Sequence, residues 1–132
     1  MKKLLVFPAI FCSILISYAQ IDSTAKNFAK YQTIPSFKIN VVPDSSDFVN
    51  KNLDSKKPVI IMFFSPDCEH CQKETKELLA FKNELKAFQI VMLSPSSYAA
   101  LHQFYVDYGL SAMPNIRMAQ DLNYSLGSLY QI

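Results

Sequence analysis

An α/β domain with a central sheet flanked by helices is the fold class this sequence predicts, and three observations carry the prediction. After Pro58 the apolar pattern runs β-α-β-α-β-α, an alternation that builds a parallel sheet with right-handed crossovers. Residues 59–64 (VIIMFF) are continuously apolar and partly β-branched, as a strand covered on both faces requires. Thr75, Leu78, Leu79, Phe81, Leu85 and Phe88 recur at helical spacing among lysines and glutamates, which describes an amphipathic helix of about four to five turns.

The elements follow in chain order. Phe37, Ile39 and Val41 alternate with Lys38 and Asn40, the pattern of a half-buried edge strand. Pro43-Asp44-Ser45-Ser46 supplies turn chemistry, and residues 47–53 suit a short helix. The strand at 59–64 is read as central, and the long helix follows it. Residues 89–93 (QIVML) form a second buried strand. Ser94-Pro95-Ser96-Ser97 offers caps for a helix over 98–108, which Gly109 can stop in the left-handed conformation. Residues 115–118 suit a short strand. Asp121 can then cap a last helix in which Leu122, Leu126 and Leu129 share a face.

Ahead of this domain, residues 1–19 read as a secretory leader. Lys2 and Lys3 provide the positive start, and residues 4–16 are apolar apart from Pro8 and Ser13. Ser17-Tyr18-Ala19 presents small residues where a signal peptidase reads them, so Gln20 is the expected new N-terminus. An uncleaved anchor is the alternative, although the run is short for a bilayer. Ala9-Ile10-Phe11 before Cys12 is no lipoprotein box, so Cys12 leaves with the leader. Residues 20–33 are polar and read as a flexible lead-in, and the domain occupies 34–132. An exported chain meets an oxidising compartment, the periplasm, with Cys68 and Cys71 as its remaining cysteines.

Composition narrows the chemistry. The chain has 132 residues, half of them apolar, which suits one modest core. Thirteen basic against eleven acidic residues leave +2, too balanced for an electrostatic nucleic-acid binder. Its two glycines, Gly109 and Gly127, exclude glycine-rich phosphate loops.

The informative segment is Ser65-Pro66-Asp67-Cys68-Glu69-His70-Cys71-Gln72-Lys73-Glu74. A strand ends, a loop turns, and a helix begins at or just after Cys68. Free amides and the helix dipole there favour a thiolate. Cys71 lies one turn on, within disulfide reach and more shielded, so one thiol can attack and the other release the mixed disulfide. His70, if protonated, would stabilise the Cys68 thiolate, or else is a plain solvated histidine; Glu69 opposes it. Glu74 shares the helix face of Cys71 and could accept its proton, or is simply a first-turn carboxylate that the dipole favours. A zinc site would need a second ligand pair, and only distant His102, read as an ordinary helix residue, is at hand. Haem attachment needs histidine where Gln72 stands. A purely structural disulfide is the remaining alternative. No cofactor or metal is expected.

From about Ile34 onward the chain resembles the exported thioredoxin-like oxidoreductases, especially the TlpA/ResA type common in Bacteroidetes. The resemblance rests on the apolar strand into Phe63-Phe64-Ser65, the Cys68-Glu69-His70-Cys71 centre and the Gln72-Lys73-Glu74 continuation. It implies a thioredoxin-like fold in which Cys68 is the nucleophile, Cys71 resolves and Glu74 assists proton transfer. Asp67 stands where thioredoxins usually have tryptophan, and Met62 where they have a buried aspartate. The family also sets a cis-proline against its active site. Pro114 superficially fits, but the segment from Asp121 to Ile132 resembles the stretch that precedes that proline, a register that puts it beyond Ile132. Either way too little chain follows Pro114 for the final hairpin and helix, so truncation is expected.

The resulting expectation is a periplasmic thiol–disulfide oxidoreductase acting on protein disulfides or dithiols. A membrane or periplasmic redox donor would serve it, no nucleic acid would bind, and the complete protein would be a monomer. The alternatives are a redoxin-type thiol peroxidase and a copper-binding or delivery module using the same cysteines.

Overall fold

The structure, a computed structural model, describes residues 34–130. The expected leader at 1–19 and the lead-in at 20–33 lie outside the described residues. Five strands make one sheet: β1 (Lys38–Val42), β2 (Asp47–Val49), β3 (Val59–Phe63), β4 (Gln89–Ser94) and β5 (Ile116–Gln120). Their spatial order is β2-β1-β5-β4-β3. β3, β4 and β5 are parallel neighbours, and β1 joins them antiparallel to both β2 and β5. Three α-helices follow the parallel strands: α1 (Glu69–Ala80), α2 (Tyr98–Asp107) and α3 (Ser125–Tyr130).

Register decides what the sheet buries. Met62 pairs with Met92 and Met92 with Met118, so these side chains stand on one face. Both crossovers move the same way across the sheet, and right-handed connections put α1 and α2 on that same face. The core agrees: Ile90, Met92, Ile116 and Met118 cluster with Leu101 and Phe104 of α2, and Leu78 and Leu79 of α1 pack against them. Each large apolar side chain buried there contributes about 1.5–3 kcal/mol. The alternate residues Val91, Leu93 and Ala119 point the other way and are buried too.

Local chemistry explains most boundaries. Ser97 caps α2 by accepting the Ala100 amide at 3.3 Å, which supplies one partner to the free amides of a helix start. Gly109 stops that helix at φ 59°, ψ 37°, a left-handed setting that glycine adopts without Cβ strain. Asp121 accepts from Ser125 N at 3.0 Å, Ser125 Oγ at 2.5 Å and Leu126 N at 3.2 Å, and so starts α3.

Five expectations need correction. β3 is an edge strand among the described residues, not a central one; its residues are half-buried and Ile60 is exposed. β1, read as an edge, lies between β2 and β5. Residues 47–53 give strand β2 and a 3-10 turn at Asn50–Asn52, not a helix. α1 ends at Ala80, and Leu85 belongs to a separate 3-10 turn, Glu84–Ala87. Leu122 precedes α3 and is exposed, so it shares no buried helix face with Leu126.

Candidate functional site

The two cysteines stand where β3 hands over to α1. Pro66 follows Ser65, and the Cys68 amide donates to the Ser65 carbonyl at 3.1 Å. That is a four-residue turn with proline at its second position, where the fixed φ of the ring is already correct. Gln72 reaches back and donates Nε2 to the Pro66 carbonyl at 2.7 Å, tying the loop to the first turn of α1. The turn delivers Cys68 to the N-cap position of α1.

At that position the Cys68 sulfur takes the place of a capping oxygen. It accepts the Cys71 backbone amide at 3.3 Å. Helix-start amides have no partner within the helix, so a sulfur placed there is held best as the anion. The Cys68 thiol is accordingly lowered from its ordinary value. The hydrogen bond from the Cys71 thiol is the largest cause, the amides of Cys71 and His70 add to it, and Glu69 opposes. Cys71 moves the other way. It packs against the core cluster, and burial pushes its thiol up, with the bond it gives Cys68 second. Both sulfurs are free thiols. The result is an asymmetric pair, one sulfur poised as anion and the other holding its proton against it.

The remaining sequence-selected residues are arranged differently. His70 and Glu74 meet each other, Nε2 to Oε1 at 3.8 Å across one helical turn, with the imidazole largely in solvent. The His70 backbone amide, not its ring, supports the Cys68 sulfur. Glu74 keeps its place one turn after Cys71, and neither His70 nor Glu74 makes a side-chain hydrogen bond to a thiol among the described residues. His102 sits exposed on α2, its ring 6.4 Å from that of Tyr98. Among the described residues no three His, Cys, Asp or Glu side chains converge as a metal-ligand set.

Two supporting residues were not read as part of the site from sequence. Thr75 is fully buried and donates Oγ1 to the Cys71 carbonyl at 2.8 Å. A polar residue at the apolar spacing of α1 was the available signal. Gln72 was noted only for not being histidine, and its loop-tying role has no sequence signature. Pro114 lies away from the cysteines. Cys68 follows the C-terminal end of β3, whereas Pro114 precedes the N-terminal end of β5, and the two strands run parallel. The Val42–Pro43 peptide is the cis bond among the described residues.

Several solved structures share this fold. A secreted Mycobacterium tuberculosis disulfide oxidoreductase homologous to E. coli DsbE superposes with a TM-score of 0.59 at 21% identity, covering 71% of this chain and 66% of its own. A thiol peroxidase from Chromobacterium violaceum gives 0.58 at 21%, covering 74% and 55%. Arabidopsis thaliana ScoI with copper bound gives 0.58 at 18%, covering 74% and 65%. The chain thus spans about two thirds or less of the length of these three neighbours, and identities this low establish the thioredoxin-like fold alone. No curated protein matches the sequence. Residues 30–132 match the AhpC/TSA family description, which is most of the chain, and the chain therefore belongs to the AhpC/TSA family.

Proposed function

We propose that this protein is a thiol–disulfide oxidoreductase that exchanges disulfides with exported protein partners. The observation that carries the reading is the asymmetric pair, with Cys68 at a helix N-cap under amide donors and Cys71 shielded one turn behind. The Cys68 thiolate attacks one sulfur of a partner disulfide, a new S–S bond forms, and the partner's other sulfur leaves as thiolate. Cys71 then loses its proton to Glu74, the carboxylate one turn further along α1, and its thiolate attacks Cys68. The partner's second sulfur leaves, and a Cys68–Cys71 disulfide remains. Two electrons have passed to the partner, and an external dithiol returns them. His70 lies beside Glu74, Nε2 to Oε1 at 3.8 Å, a contact largely screened by solvent.

The sequence reading of residues 1–19 as a leader supports a periplasmic setting, an oxidising compartment in which disulfides form and persist. Insulin reduction by the full chain with a dithiol donor tests the reading. Activity that disappears in Cys68→Ser supports it, and activity indifferent to that change overturns it.

A thiol peroxidase is the second reading, since the fold is shared with one. Its chemistry wants a cation beside the attacking sulfur to polarise the peroxide. The single arginine of the chain, Arg117, is on β5 with Nη1 bonded to the Pro114 and Ile116 carbonyls, at the strand end remote from Cys68. That placement favours exchange over peroxide reduction. A copper module, the third reading, predicts stoichiometric copper binding without insulin reduction.

A further inference from the structure

The helices α1 and α2 share one face of the sheet yet leave a groove of about 700 Å³ between them. Helices on one face normally close to 8–10 Å by interlocking apolar ridges. Here the facing positions are Gln72 and Lys76 on α1 and Ala100, Gln103 and Asp107 on α2. Those side chains are polar or too short to interdigitate, so the gap stays open.

The groove starts at Pro66 and Asp67, the two residues ahead of Cys68, and passes down α1 to Leu79. From Cys68 to Leu79 at 1.5 Å per residue is about 16 Å, or about five residues of extended chain. Its floor is apolar. Phe104 and Tyr108 stack there with centroids 4.2 Å apart and planes 19° from parallel. Phe104 is buried while Tyr108 is only half-buried and faces the groove.

The far end carries a carboxylate that the fold does not require, with Lys76 of α1 the cation lining the same groove. Asp107 occupies the last turn of α2, where the helix dipole disfavours a carboxylate, and no basic residue in that turn offsets it. Gln103 Nε2 donates to Asp107 Oδ1 at 2.7 Å, which leaves Oδ2 for another donor. A local choice that opposes helix stability is the kind found where function competes with it.

We propose that this groove seats the partner polypeptide beside the disulfide under attack: an extended segment with an apolar side chain over Tyr108 and a basic one at Asp107, about five residues from its cysteine. The proposal rests on the oxidoreductase reading and adds a substrate class to it. It makes the enzyme selective for cysteines in basic, apolar surroundings, through contacts remote from the sulfur chemistry.

The test uses the full chain and synthetic peptides whose single cysteine is a mixed disulfide with thionitrobenzoate, so that reaction releases a coloured thiolate. Lysine, alanine or glutamate is placed five residues from the cysteine, in series that extend on either side of it. Wild-type kcat/KM should favour lysine over glutamate about fivefold in one series, the upper end of what a surface ion pair allows. The preference should shrink at 1 M salt. Asp107→Lys should reverse the order, with circular dichroism confirming its fold. Equal rates for all peptides, or an order unchanged in Asp107→Lys, would overturn the groove assignment while leaving the oxidoreductase reading intact. Failure to react with any peptide, and with hydroxyethyl disulfide as well, would overturn the function itself and the groove with it.

Discussion

Replacing Asp121 by alanine should unfold the domain at markedly lower temperature, and the structure sets the size. Asp121 is nearly buried at 6% exposure, and its carboxylate is the partner of two backbone amides and one hydroxyl at the start of α3. Loss of a capping side chain costs about 0.5–2 kcal/mol. The Leu126 amide, in a residue that is fully buried, would also lose its acceptor, and an orphaned buried donor costs about 1–3 kcal/mol. The two effects overlap, so about 3 kcal/mol is the reasonable total. For a domain of roughly a hundred residues each kcal/mol moves Tm by about 4–8 °C, which gives a fall of about 12–24 °C. Asp121→Asn keeps an acceptor oxygen for one amide and should lose about half as much. Thermal unfolding followed by circular dichroism at fixed protein concentration measures both. A fall below about 4 °C for alanine, or equal falls for the two variants, would show that the carboxylate does not hold α3 to the end of β5.

Four further outcomes follow from the same geometry. Alkylation followed against pH should show Cys68 reacting with a midpoint below the ordinary thiol value of about 8.5 and Cys71 above it; Cys71 reacting first would reverse the assigned roles. The lowered Cys68 thiol makes the reduced protein gain stability as pH rises toward the ordinary value, and the raised Cys71 thiol makes it lose stability beyond it, so denaturant midpoints should peak near pH 8.5. Cys71→Ser should accumulate mixed disulfides with partner proteins through Cys68 on non-reducing gels, and equal accumulation in Cys68→Ser would refute the resolving role. Leu101→Ala, which empties a fully buried site under α2, should cost about 2–5 kcal/mol in denaturant unfolding, and a cost under about 1 kcal/mol would refute that packing.

The sequence made the cysteine site legible because its chemistry is local. Turn, cap and thiolate all arise within the eight residues from Ser65 to Gln72, and short-range rules govern each. Global geometry was harder to read. The apolar spacing continues from Leu79 through Leu85 to Phe88, but α1 stops at Ala80. Its 12 residues span about 18 Å, nearly the same as the 5 residues of β3 at about 3.3 Å each. Tertiary geometry cut the helix once it had retraced the strand. A 3-10 turn places residues three apart on one side much as a helix does, so spacing alone could not report the break, which leaves Phe81 exposed. The edge position of β3 was hidden for a related reason. A continuous apolar run reports burial on both faces but carries no information about neighbours in the plane of the sheet.

The two halves of His70, its ring and its amide, can be separated by experiment. From sequence the imidazole was one candidate tuner of Cys68, beside the amides and dipole of the helix start. In the structure the ring is exposed, with 79% of its side-chain surface accessible, and engages Glu74 at 3.8 Å, an arrangement that solvent screening leaves energetically small. The backbone amide of the same residue lowers the Cys68 thiol. His70→Ala keeps that amide, so the alkylation midpoint of Cys68 should not move. His70→Pro removes it. The position is the second residue of α1, where a helix tolerates proline because the amide has no intrahelical partner. The helix should therefore persist by circular dichroism while the Cys68 midpoint climbs part of the way back toward about 8.5; the Cys71 amide, still in place at 3.3 Å, prevents a full return. If alanine raised the midpoint as far as proline does, the imidazole would be the tuner after all. If neither raised it, the thiolate would owe nothing to His70, and the amide of Cys71 and the thiol proton behind it would have to account for the whole effect.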